Sequence, residues 1–248
     1  VSVSPLLTES TAPTMPRAII SPSVLASDFG NLNAECSRMI KGGAEWLHMD
    51  VMDGNFVPNI TMGAPVLKCV GKGVPGIFMD CHMMVANPEQ WIDDIADIEA
   101  AGKQYCFHIE AAPDPISLIN KIRERGMRAA VAISPDTPSS AITDEVGNLA
   151  DMLLVMTVYP GKGGQKFIER CVPKVAELRA RFPEKDIEVD GGLNKKTIHE
   201  CAAAGSNVIV AGTAIFGDPQ PEQVITYMKS VVDEAQVKIA AELQGKKA

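Results

Sequence analysis

The chain has 248 residues, 46% hydrophobic but only 5% aromatic, so aliphatic side chains and Met must fill its core. A formal net charge of −8 argues against a nucleic-acid surface or a docking face for anionic membrane. No apolar stretch approaches the roughly 20 residues of a membrane span. The six cysteines (Cys36, Cys69, Cys81, Cys106, Cys171 and Cys201) form no CxxC pair, the pattern of a reducing compartment without structural disulfides.

Residues 1–16 are rich in Ser, Thr and Pro and too polar for a secretory signal; they are expected to form a disordered tail outside the chemistry. From Arg17 to the end at residue 248 one domain is expected. Its first apolar run is Ile19 to Leu25, and Asp28 opens a helix through Ile40. Gly42-Gly43 then precede the run Trp46-Leu47-His48-Met49-Asp50, and Gly73 precedes Ile77-Phe78-Met79-Asp80-Cys81-His82. Asn87-Pro88-Glu89 starts a helix with Pro at its first position. Gly102, Gly126, Gly147 and Gly205 precede runs at Tyr105 to Ile109, Met127 to Ile133, Asp151 to Met156 and Val208 to Val210. Each such glycine reads as a left-handed cap past a helix end, and each run as a buried parallel strand. Ile187 to Val189 brings the strands to eight; helices are expected at Glu169 to Phe182, Asn194 to Ala204 and Pro221 to Leu243.

Eight strands alternating with helices give an α/β fold with a parallel sheet. An open doubly wound sheet is the alternative, but no GxGxxG follows the first strand and polar residues cluster after several strands. The expected fold is therefore a single (β/α)8 TIM barrel, whose active site lies at the carboxyl ends of the strands.

Those ends carry the chemistry. His48 and Asp50 share a strand face, and with His82 and Asp190 they can close around one divalent metal ion. His2Asp2 suits Zn2+, Fe2+, Mn2+ or Co2+. Beside such an ion, two carboxylates on opposite faces of a substrate can invert a carbon next to a carbonyl. His108, beside Glu110, and His199, on a helix, are left outside the site. Glycine clusters at Gly161, Gly163 and Gly164, at Gly191-Gly192 and at Gly212-Thr213 offer backbone N–H groups to a phosphate, with Ala214-Ile215-Phe216 as a short extra helix. Met52, Met84 and Met156 fall near strand ends, where they fit either core packing or an apolar wall around a reactive enediolate.

The segments Ser21 to Leu25, His48 to Gly54, Phe56-Val57-Pro58-Asn59, His82 to Val85, Met156-Thr157-Val158 with Pro160 to Phe167, and Val189 to Gly192 together resemble the ribulose-phosphate 3-epimerase family. The resemblance runs from about Arg17 to about Ile225. It implies interconversion of D-ribulose 5-phosphate and D-xylulose 5-phosphate in the pentose phosphate pathway. It also implies His48, Asp50, His82 and Asp190 as metal ligands, with Asp50 the proton acceptor and Asp190 the donor. Ser23 would touch the sugar, with His82 and the three methionines beside it. Gly161 to Gly164, Lys162 among them, would hold the phosphate together with Gly191, Gly192, Gly212 and Thr213. Three positions depart from the family pattern: Lys162 replaces a common aromatic residue, Tyr159 a common acidic one and Thr213 the usual Ser. A homodimer in the cytosol is expected, with a plastid origin of the tail as the alternative. Three other activities would use a similar barrel: epimerisation of another ketose phosphate such as D-allulose 6-phosphate, metal-dependent aldol cleavage, and sugar-phosphate binding without turnover.

Overall fold

The computed structural model describes residues 15–245. Residues 1–14 of the expected tail and the last three of the chain lie outside the described residues. Eight strands run parallel: β1 (Ile19–Pro22), β2 (Leu47–Met52), β3 (Phe78–Met84), β4 (Gly102–His108), β5 (Arg128–Ile133), β6 (Met152–Met156), β7 (Asp186–Asp190) and β8 (Val208–Ala211). They pair in the order β1-β8-β7-β6-β5-β4-β3-β2, and a parallel bridge between Ser23 and His48 closes the ring. The expected TIM barrel is what the chain forms.

Helices α1 (Leu32–Lys41), α2 (Ala64–Gly73), α3 (Ile92–Ala96), α4 (Pro115–Glu124), α5 (Asp144–Leu149), α6 (Val172–Arg181), α7 (Ile198–Ala204), α8 (Thr213–Phe216) and α9 (Pro221–Gly245) cover the outside. Asp28 does start the first helical segment, but as the cap of one 3-10 turn: its carboxylate accepts the Gly30 N–H before α1 begins. The run from Ile19 stops being strand at Pro22 and turns through Val24–Ala26. That early turn carries Ser23 over the barrel mouth.

Alternation along each strand divides the core into two layers. Outward side chains such as Leu47, Met49, Met79, Phe107, Val131 and Ile209 pack against the helices. Inward ones such as Ile19, Cys106, Ala130, Ala132, Met152 and Leu154 fill the barrel. At the amino end the plug is aromatic: Trp46 and Phe78 stack with centroids 4.4 Å apart, and the Arg128 guanidinium lies 5.1 Å from the Trp46 ring. At the carboxyl end the plug turns polar, and the site begins there.

The expected glycine caps are half right. Gly43, Gly126 and Gly205 take positive φ after α1, α4 and α7. Gly73, Gly102 and Gly147 do not; they sit inside α2, β4 and α5. At two of them a side chain lacks space: a Cβ on Gly147 would lie 2.1 Å from the Phe182 ring, and one on Gly102 would lie 2.4 Å from Phe78.

Candidate active site

β2, β3 and β7 carry the four expected ligands to one point. The His48 Nε2 and His82 Nδ1 atoms are 3.0 Å apart. Asp50 Oδ1 lies 3.6 Å from each of these nitrogens, and Asp190 Oδ2 lies 3.6 Å from His48 Nε2 and 3.7 Å from His82 Nδ1. Four ligands arranged tetrahedrally at about 2.0–2.2 Å from a central ion stand about 3.3–3.6 Å from one another. The spacing therefore fits a divalent cation. In ring order β2 and β7 are separated by β1 and β8, so Asp50 and Asp190 reach the centre from different walls.

Hydrogen bonds behind the imidazoles turn their lone pairs inward. His48 Nδ1 meets Asp80 Oδ2 at 2.6 Å, and Gln104 Nε2 donates to the other Asp80 oxygen at 2.7 Å. His82 Nε2 meets His108 Nε2 at 2.8 Å, and His108 Nδ1 meets Glu110 Oε2 at 3.2 Å. With Asp80 and Glu110 as acceptors at the ends, each ligand imidazole keeps an unprotonated nitrogen toward the centre. At 3.0 Å the two facing nitrogens need either a proton on one of them or a cation between them.

The charge balance makes the same demand. Asp50, Asp80, Glu188 and Asp190 surround His48 and His82, all buried except Asp190, whose side chain is 14% exposed. Burial opposes charge on His48, yet Asp50 and Asp80 hold its affinity for a proton well above the ordinary value. Burial also opposes charge on Asp50, but His48, His82 and the Ser23 hydroxyl keep it below the usual carboxylate range. Asp190 goes the other way. Burial pushes it up to about 7, against the pull of His48 and with the push of Asp50 and Asp80. Without a bound ion, one carboxylate thus favours its charged form and the other its protonated form. Below them, burial and Asp80 push Glu188 well above its ordinary range. His108 is driven down to about 4, chiefly by burial, and stays neutral.

A cavity of about 640 Å³ opens above this cluster. Ser23, Asp50, Met52, Met84, Met156, Asp190, Gly191, Gly192, Gly212, Thr213 and the loop Gly161 to Gly164 with Lys162 all line it. His48 and His82 are fully buried beneath its floor, so a substrate resting on that floor meets the carboxylates and methionines first. Ser23 Oγ donates to Asp50 Oδ2 at 2.8 Å, leaving Oδ1 toward the imidazoles. Gly191 and Gly192 have φ +118° and +71°, and their amides donate no hydrogen bond among the described residues. A Cβ on Gly192 would lie 2.7 Å from the Phe167 nitrogen, so the two loops approach as only glycine permits.

Asp80, Gln104, Glu188, His108 and Glu110 complete a polar layer that strand-end reasoning leaves out. Asp80 and Glu188 stand two residues before His82 and Asp190, on the same strand faces, and that parity was the available signal. His199 is exposed on α7, with Nε2 3.0 Å from the Tyr227 hydroxyl, and does not line the cavity.

Comparison with known proteins bears on the same residues. The model of the ribulose-phosphate 3 epimerase family matches residues 19–216. A ribulose-phosphate 3-epimerase of Eremothecium gossypii is 53% identical over 228 residues, covering 88% of this chain and 94% of that protein. One from Schizosaccharomyces pombe is 48% identical, covering 90% and 97%. A rice protein named ribulose-phosphate 3-epimerase, cytoplasmic isoform, is 47% identical, covering 89% and 97%. Among solved structures, 3-hexulose-6-phosphate synthase from Salmonella typhimurium superposes with a TM-score of 0.62 at 16% identity, covering 88% of this chain and 99% of that one, a likeness of fold alone. The family match spans every strand that builds the cluster, and close relatives run the length of the barrel: the chain belongs to the ribulose-phosphate 3-epimerase family.

Proposed function

We propose that this chain interconverts D-ribulose 5-phosphate and D-xylulose 5-phosphate, a step of the pentose phosphate pathway, by passing the C3 proton between Asp50 and Asp190. The observation that carries the mechanism is the pair itself. Asp50 and Asp190 enter one cavity from different walls, each with a carboxylate oxygen within 3.7 Å of both buried imidazoles.

Removing the C3 proton leaves a 2,3-enediolate, too basic to form unless its negative charge is balanced. A divalent ion held by His48, Asp50, His82 and Asp190 supplies that balance as a Lewis acid, worth several kcal/mol in such sites. Imidazole with carboxylate favours Zn2+, Fe2+, Mn2+ or Co2+ over the oxygen-loving Mg2+ and Ca2+. Asp50 takes the proton from one face, its unused oxygen steadied by Ser23. Asp190 delivers a proton to the other face, and the roles reverse for the return reaction. Met52, Met84 and Met156 wall the reacting carbons from water. The amides of Gly191 and Gly192, with Gly212, Thr213 and the loop Gly161 to Gly164, hold the phosphate, and Lys162 adds positive charge at the mouth.

Residues 17–248 act as one catalytic domain in this reading. A homodimer is proposed with it, supported by the exposed apolar side chains Phe29 and Val66 flanking a shallow groove between α1 and α2. A cytosolic location draws support from the name of the rice relative. Among the described residues no helix is long and apolar enough to cross a membrane.

The test is a coupled epimerase assay with metal analysis of the same sample, run on D-ribulose 5-phosphate and on D-allulose 6-phosphate. Faster turnover of the hexulose phosphate would change the substrate, and release of an aldehyde would change the reaction class. A fully metallated sample with no turnover of either would overturn the reading.

A further inference from the structure

The loop after β2 crosses the barrel mouth. At its start the Asp53 carboxylate accepts the Ala86 N–H beyond β3 at 2.9 Å. In its middle Phe56 packs on His108 with ring centroids 4.8 Å apart. Near its end Asn59 meets the loop after β6.

The two ends of the Asn59 carboxamide do different things. Oδ1 accepts the Ile60 N–H at 3.0 Å, within its own turn. Nδ2 donates to the Gly161 carbonyl at 2.9 Å, 102 residues away. The only other hydrogen bond to Gly161 through Gly164 among the described residues comes from within the loop, where Gln165 Nε2 donates to the Lys162 carbonyl at 2.8 Å. One carboxamide therefore tethers this segment from outside. Gly161 and Gly164 sit at φ +116° and +69°. Glycine permits such a backbone but does not select it, so the chosen shape needs an external hold.

We propose that Asn59 is a positioning residue for substrate binding, fixing the loop after β6 in the shape that receives the phosphate. This rests on the sugar-phosphate reading of the cavity. Without the tether the loop must be ordered at the moment of binding. That cost falls equally on the bound substrate and on the transition state, because the phosphate lies away from C3. Loss of the tether therefore raises KM and leaves kcat alone.

The experiment compares Asn59→Ala and Asn59→Asp with the metallated wild-type enzyme. Aspartate keeps an acceptor for the Ile60 N–H but has no donor for Gly161, so it separates the local turn from the tether. Both variants should raise KM for D-ribulose 5-phosphate about three- to tenfold, the worth of one hydrogen bond, with kcat within about twofold. In the absence of substrate, both should be cut by trypsin after Lys162 faster than wild type, with melting temperature unchanged. The proteolysis arm carries the aspartate comparison, because it is free of charge repulsion against a phosphate. Cleavage of Asn59→Asp at the wild-type rate would overturn the proposal, as would a loss of kcat at constant KM in Asn59→Ala. If the wild-type enzyme fails to turn over the pentulose phosphate, the epimerase reading falls, while trypsin still judges the tether.

Discussion

His82 and His108 meet nitrogen to nitrogen, Nε2 to Nε2 at 2.8 Å, so one of the two must carry the proton and the other must lack it. Glu110 decides which. Its Oε1 is occupied by the Ser134 N–H at 2.8 Å and the Thr137 hydroxyl, and its Oε2 faces His108 Nδ1. His108 therefore holds its proton on Nδ1, accepts from His82 through Nε2, and leaves His82 Nδ1 bare toward Asp50 and Asp190. A surface-reaching carboxylate sets the tautomer of His82 through one intervening imidazole.

Glu110→Gln should reverse that order. The Gln carbonyl is required by Ser134 and Thr137, so its NH2 faces His108 and donates to Nδ1. The proton of His108 then moves to Nε2, and that of His82 to Nδ1, where it blocks the ligand lone pair. Metal affinity should fall about 10- to 100-fold, the usual cost of disturbing a ligand's supporting partner. Titration against a competing chelator measures it. Unchanged affinity would mean that the relay does not set the tautomer of His82.

The metal itself is directly testable. The protein should carry about one divalent ion per chain, bound through nitrogen and oxygen. Chelation should abolish turnover, and one equivalent of Zn2+, Fe2+, Mn2+ or Co2+ should restore it. Elemental analysis through a chelation and reconstitution series checks both. Activity persisting after complete removal would sink the cluster's assigned role.

Without its ion, the cluster should make stability depend on pH. The folded protein holds the Asp190 proton up to about 7, against an ordinary value of 3.8. Its contribution is complete below that ordinary value and is lost as pH rises through about 7. Glu188, raised by burial and by Asp80, acts in the same direction. Chelator-treated wild type should therefore lose stability between about pH 4 and about pH 7 more steeply than chelator-treated Asp190→Asn, which has no such proton to hold. Urea unfolding of both at several pH values makes the comparison. Parallel curves would remove Asp190 from the account.

What the sequence made legible, and what it hid, follows from the range over which each signal acts. The cluster of proposed ligands could be grouped because a strand's two-residue period puts His48 and Asp50 on one face, and because each run ends where glycine or loop sequence begins. Asp80 and Glu188 obey the same parity but sit one layer deeper, mid-strand, where attention to strand ends misses them. Gly102 and Gly147 fell at the rhythm of helix caps, yet the reason for them is Phe78 and Phe182, neighbours that only the packed fold supplies. Asn59 was visible only as part of a family motif, because its partner lies on another loop.

Lys162 lines the cavity mouth and is exposed. Lys162→Phe should leave kcat intact while flattening the rise of KM with ionic strength, since an exposed charge acts on the phosphate through screened solvent. KM measured from low to high salt in both proteins decides it. An unchanged slope would mean that the lysine points to solvent.

The two acids can be told apart by isotope. If Asp50 and Asp190 work on opposite faces, each meets the C3 proton of only one epimer. Solvent deuterium should then enter the product in both directions, provided each carboxylate exchanges with water. Asp190→Asn should abolish epimerisation yet allow slow C3 exchange with retained configuration in the epimer whose proton faces Asp50. Asp50→Asn should give the mirror result, exchanging only the other epimer. Both residues are also proposed ligands, so each variant's metal content must match wild type before the loss is assigned to proton transfer. A fully metallated Asp190→Asn enzyme that still epimerises at near the wild-type rate would show that a single carboxylate, or water, serves both faces, and the two-acid mechanism would be wrong.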